Sequence, residues 1–235
     1  MVDQSMTVAR ALIAGATGGT GRAVVGYARD AGLAVCALTS DPAKRAMLAD
    51  MGVDDVVVGD LMDADDARRA VAGVDAVLCA VGPKGEGARR TDIFSVGVVN
   101  LIEAARASGA RRFVLEASIG VGDSAPAIPA QFREVIGAVL DAMNVAEERL
   151  RASGLAYTIV RPGGLTDDAA THDVVVGEGG TAIGSGMIPR ADVARLMVAA
   201  LFTPEAEDRT FELVSRAGLR GAPRATVSIP WRFTP

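Results

Sequence analysis

Short, uninterrupted apolar runs alternate along the chain with longer stretches whose apolar residues return every three or four positions. Runs of the first kind read as strands buried on both faces, and stretches of the second as helices packed on one side. Val8 to Ala14 is the first strand, and the helix after Gly21 places Val24, Val25 and Ala28 on one face. Ala34 to Leu38 is the second strand. Asp41-Pro42 then has the form of a helix start, a carboxylate beside free N–H groups and a proline at the first helical position, with the helix ending near Met51-Gly52. The alternation continues with strand 55–58, helix 64–72, strand 75–80, helix 92–108 and strand 112–116. A loop from Gly120 to Pro129, with two prolines and two glycines, reads as mobile; helix 132–153, strand 157–160, helix 191–202 and a short strand 211–214 follow.

Repeated βαβ units predict an α/β fold, a doubly wound Rossmann-type parallel sheet. With 235 residues the chain can fill one core, so a single NAD(P)-binding domain over 1–235 is expected. Residues 161–190, rich in Gly, Asp and Thr, and residues 203–235 are assigned to a small C-terminal substrate-side lobe and tail. The arginines among prolines beyond Ser215 make the tail hard to place.

The strand Leu12-Ile13-Ala14, the turn Gly15-Ala16-Thr17-Gly18-Gly19-Thr20-Gly21 and the next helix stand in the order a dinucleotide site requires. Gly15 permits the tight turn, Gly18 lets the backbone approach a pyrophosphate, and Gly21 lets helix pack on strand; Thr17 and Thr20 can add hydroxyl donors. An acidic residue after the second strand would bind a ribose 2′-OH and repel a 2′-phosphate. Here Thr39 and Ser40 occupy that place, with Lys44 and Arg45 one turn beyond and Arg22 after the glycine turn, which favours NADP(H) while leaving NAD(H) open. Asp41 is the contrary residue, and its place before Pro42 suits helix capping better. Gly59-Asp60-Leu61 offers a carboxylate to the adenine amino group and leucine to its ring, although Asp60 equally suits a turn cap. The small residues Ala80-Val81-Gly82 would let the nicotinamide ribose lie against backbone.

These segments resemble the atypical and extended short-chain dehydrogenase/reductases, in particular the NmrA-like branch related to biliverdin-IXβ and flavin reductases. The resemblance runs from about Val8 to Val214. It rests on the glycine turn, Gly59-Asp60-Leu61, Asn100-Leu101-Ile102-Glu103-Ala104-Ala105, Arg112-Phe113-Val114, Ala146-Glu147, Tyr157 to Gly163, and Ile188 to Ala194. It implies a coenzyme on the glycine turn, contacts near the nicotinamide from Arg161-Pro162-Gly163, and a substrate pocket beneath the C-terminal lobe.

Many such relatives reduce carbonyls with a Tyr-xxx-Lys pair. Counted back from Ala146-Glu147, its lysine position falls on Met143 and its tyrosine position on Val139, neither of which moves a proton. The two tyrosines, Tyr27 and Tyr157, are followed four residues later by Ala31 and Arg161, so neither restores the pair. Of two lysines, Lys84 lies in the loop where a nicotinamide would sit and could orient or protonate a substrate, or be a solvated loop charge. Ser118, after the fifth strand, could hydrogen-bond substrate or nicotinamide amide, or satisfy its own turn. His172, the one histidine, could face the pocket or lie on the surface; Asp123 and Glu116 are carboxylates near the same edge.

The expectation is an NADP(H)-dependent oxidoreductase acting on a small conjugated carbonyl, quinone or flavin, with Ser118, Lys84 or solvent supplying the proton. A non-catalytic NAD(P)-binding sensor of NmrA type is the alternative, and a sugar epimerase or dehydratase a weaker one, since it generally needs the missing pair. A formal net charge of −5 speaks against direct nucleic-acid binding. Cys36 and Cys79 lie in apolar runs without metal-ligand spacing, so no metal is expected. No run reaches the length of a membrane span, and Met1 to Met6 lack the form of a secretory leader, so a cytoplasmic location is expected. A homodimer or a partner protein is left open.

Overall fold

The computed structural model describes residues 8–83 and 89–234, without the side chains of Arg89 and Arg90. Six parallel strands form most of the main sheet: β1 (Arg10–Ala14), β2 (Ala34–Thr39), β3 (Asp55–Val58), β4 (Ala76–Cys79), β5 (Arg112–Glu116) and β6 (Ala156–Pro162). With β10 (Arg209–Ser215) and β8 (Val174–Glu178) the order is β3-β2-β1-β4-β5-β6-β10-β8, and β8 alone runs antiparallel to its neighbour. The chain winds outward from β1 to β3, then crosses to β4, so the switch point lies between β1 and β4. A ligand crevice is expected there, beyond the carboxyl ends of the strands.

Alternate residues of each strand serve opposite layers because successive side chains point to opposite faces. Ile13, Leu78 and Val114 join the layer of α1 (Gly19–Asp30) and α7 (Arg190–Ala200). Leu12, Val77 and Phe113 join the layer of α3 (Ala64–Ala70), α5 (Val99–Ser108) and α6 (Ala130–Arg151). Burying such side chains on both faces supplies about 1.5–3 kcal/mol each. The short α2 (Arg45–Asp50) follows a 3-10 turn at Pro42–Lys44, and α4 (Arg89–Asp92) reaches α5 through a π-helical segment, Ile93–Val98. Asp41 accepts from the Ala43 N–H at 3.0 Å, the capping role read from its place before proline.

Two expectations change, and the tail finds its place. The 120–129 loop is packed: Val121 and Ser124 are buried, and Ser124 Oγ accepts from the Gly120 N–H while donating to the Val121 carbonyl. Part of the lobe belongs to the main sheet, since β8 pairs with β10; β7 (Gly164–Thr166), β9 (Ser185–Pro189) and β11 (Leu219–Arg220) make a separate small sheet. The tail is ordered too, with the Val227 N–H bonded to the Val176 carbonyl and Trp231 edge-on to Phe211 at 5.6 Å. No described helix is long and apolar enough to cross a membrane.

Candidate functional site

At the switch point the chain leaves β1 through Gly15, whose φ of +84° suits glycine. A side chain there would meet the Ala80 carbonyl oxygen at 2.4 Å, so the turn and the end of β4 approach as only a bare backbone can. Gly18 is the N-cap of α1 and provides no side-chain cap, leaving the N–H groups of the first turn pointing into the crevice. That cradle suits a diphosphate: free amides, the positive end of a helix dipole and no side chain at Gly18 or Gly19 in the way.

The crevice has two connected halves that share Gly18, Ala80, Val81 and Gly82. Its first half adds Gly15, Thr17, Thr39, Ser40, Asp60, Leu61 and, from the π-helical segment, Ile93. The second adds Gly19, Thr20, Glu116, Ser118, Met143, Pro162, Gly163, Leu165 and Arg190. Volumes of about 160 and 370 Å³ together fall in the range of roughly 300–1,000 Å³ usual for small-molecule sites.

Most residues expected at a coenzyme site therefore line one cleft. Gly21 does not; it is buried beneath the turn, where it permits the close helix-to-strand packing expected of it. Arg22 and Lys44 lie outside the lining, Arg22 on the exposed side of α1 and Lys44 in the tight turn that starts α2. The Thr39 hydroxyl is engaged with the Asp41 backbone, which leaves Ser40 the freer hydroxyl of the pair. Asp60 caps its turn by accepting from the Met62 N–H at 3.1 Å while still lining the cleft. Asn100, without a role in the sequence reading, donates to the Leu61 carbonyl at 2.9 Å and so anchors that turn to α5.

Thr20 is redirected. Its buried hydroxyl was expected to face the coenzyme, but it donates to Glu116 Oε1 at 3.0 Å because the first turn of α1 aims it at β5. Glu116 itself ends an otherwise apolar run, Phe113-Val114-Leu115, and the charge at that place is the only signal sequence offers. Burial pushes its carboxyl up to about 7, against the pull of the Thr20 hydroxyl and the Arg190 charge.

Ser118 lines the cleft and donates to the Ile119 carbonyl at 3.0 Å, so its turn role and its place by the site coexist. Lys84 lies outside the described residues. Met143 lines the cleft, and Val139 packs in the apolar layer beside it. Arg161 turns away from the nicotinamide side: 2% exposed, it forks onto Glu147 at 2.9 and 2.6 Å and also bonds Asp123, leaving Pro162 and Gly163 to line the cleft. His172 borders a separate depression with Tyr27, Arg195 and Phe233. Cys79 is buried with its thiol pushed up to about 12 by desolvation, an inert core residue. Among the described residues no cluster could hold a metal ion.

A family model described as NAD(P)H-binding matches residues 15–204. The chain belongs to this NAD(P)H-binding family. Its coenzyme is accordingly NADP(H) or NAD(H); similar proteins include named reductases and an uncharacterised sugar epimerase of Bacillus subtilis. An uncharacterised chloroplast protein of Arabidopsis thaliana is 35% identical over 229 residues, 92% of this chain and 80% of its own length. The NAD(P)H azoreductase of Xenophilus azovorans is 28% identical over 217 residues, 90% of this chain and 70% of its own. Among solved structures, an anaerobilin reductase of Escherichia coli O157:H7 matches with a TM-score of 0.79 and 27% identity, covering 91% of this chain and 100% of that one. These likenesses support an NAD(P)H-binding Rossmann protein of oxidoreductase type.

Proposed function

We propose that the protein is an NADPH-dependent reductase of small conjugated acceptors, quinones, flavins or enones, working without a tyrosine–lysine pair. One observation carries the reading: the wall where that pair would stand is Met143, beside a second cleft half that is otherwise open at Ser118, Pro162, Gly163 and Leu165. An apolar wall favours a flat conjugated acceptor, whose reduction relies less on a strong acid held by the protein.

A bound nicotinamide supplies the hydride. The protein's share is placement. The glycine turn holds the diphosphate, Pro162 and Gly163 leave room for the nicotinamide, and Met143 and Leu165 exclude water from the acceptor's face. Ser118 Oγ can orient an acceptor oxygen, and the proton reaches the acceptor from Ser118 or solvent. Preference for the phosphorylated coenzyme follows from Ser40 in the cleft and from Asp41, whose carboxylate is committed to the Ala43 N–H.

Steady-state oxidation of NADPH against a panel of quinones, flavins and enones tests the reading. Turnover of at least one acceptor is expected, reduced about tenfold or more in Ser118→Ala if the hydroxyl orients the substrate. Tight NADPH binding with no acceptor reduced would contradict catalysis and favour a coenzyme-binding sensor.

A further inference from the structure

Opposite the glycine turn stands Arg190, the first residue of α7. Its side chain lies across Gly19, where a methyl group would stand 2.7 Å from Arg190 Cδ and 2.8 Å from Nε. A positive φ asks for glycine at Gly15 and close packing asks for it at Gly21; at Gly19 the missing side chain makes room for this arginine.

Two helix N-termini and one cation meet at this corner, opposed by Asp167 and by the buried Asp192 in the first turn of α7. α1 and α7 both begin here, and their N-cap residues, Gly18 and Pro189, provide no side-chain cap. Each helix end contributes about half a positive charge. Arg190 is the one cation among the described residues that line the cleft. Its Nε donates to Asp167 Oδ1 at 2.9 Å, but the Asp167 side chain is 88% exposed, and a bond so open to water is easily exchanged. No other acceptor among the described residues engages the terminal guanidinium nitrogens. Glu116, a carboxyl in the same half of the cleft, accepts a hydrogen bond from Thr20 and meets Arg190 only through its charge.

We propose that Arg190 clamps the diphosphate of the bound coenzyme over Gly19, exchanging the Asp167 carboxylate for phosphate oxygens. A guanidinium fork matches two such oxygens, where a lysine would offer a single point charge. The proposal rests on coenzyme binding at the glycine turn and adds to it a ligand from the other end of the chain. Asp167 becomes the resting partner that the diphosphate displaces.

Calorimetric titration of the parent, Arg190→Gln and Asp167→Asn with NADPH, NADH and 2′-AMP, the last of which lacks the diphosphate, tests it. Arg190→Gln should weaken NADPH roughly 10- to 100-fold, the loss of a charge-assisted bond, and leave 2′-AMP unchanged. Asp167→Asn, a surface change that does not threaten folding, should tighten NADPH severalfold by removing the competitor. Equal weakening of both ligands in Arg190→Gln, no weakening at all, or an Asp167→Asn protein that fails to bind NADPH more tightly would overturn the clamp. A parent that binds neither NADPH nor NADH would overturn the clamp and the coenzyme reading together, whereas a parent that binds and variants that match it would sink the clamp alone.

Discussion

Glu116 shows what one residue at a strand end can change. A carboxyl that stays protonated up to about pH 7 in the folded state, while the unfolded chain releases its proton near 4.5, makes the folded state the better proton binder between those values. Stability attributable to this group is therefore full below about pH 4.5 and is lost as pH rises through about 7. The difference is on the order of 3 kcal/mol, at about 1.4 kcal/mol for each pH unit of the shift. Glu116→Gln keeps the shape and removes the titration. Thermal melts should show the variant gaining roughly 5–10 °C on the parent at pH 8 and little at pH 4; an equal gap at both pH values would contradict a neutral buried carboxyl. None of this was visible in sequence, because Thr20 and Glu116 meet across 96 residues. The glycine turn was visible, because its parts are neighbours in the chain.

Among elements, α6 is tied to the sheet through one charged pair. Glu147 is fully buried on α6 and accepts both limbs of the Arg161 fork from β6, which gives Ala146-Glu147 a task that sequence reasoning had not assigned and moves Arg161 away from the nicotinamide contact expected of it. Removing one partner strands a buried charge, a cost of about 3–5 kcal/mol. Urea unfolding of Glu147→Ala should show a loss of that size, and Glu147→Leu combined with Arg161→Met should recover much of it. A loss below about 1 kcal/mol would mean that Asp123 and water already satisfy the arginine. The elements themselves were legible to within a few residues, since strands buried on both faces leave unbroken apolar runs. What periodicity could not show was partnership: β8 reads as a fragment of a polar lobe, yet its pairing with β10 extends the main sheet. The tail shows the same limit, because its hold comes from single contacts such as Trp231 on Phe211.

For the whole molecule, order of elements dictated the site. Six parallel strands wound in two directions from β1 leave a crevice between β1 and β4, and a chain with a glycine turn at that place has a coenzyme cradle before any catalytic side chain is considered. Chemistry was less legible than binding. The resemblance implied that Val139 and Met143 stand where relatives keep a proton-moving pair; only the fold shows that Met143 lines the cleft together with Glu116 and Ser118 from the end of β5 and Arg190 from the start of α7. A crystal of the protein soaked in NADPH tests the central claim most directly. The expected result is density for the diphosphate against the amides of Gly19 and Thr20, with the nicotinamide between Ser118 and Pro162. An empty glycine turn at saturating coenzyme, or coenzyme lodged elsewhere on the molecule, would contradict it.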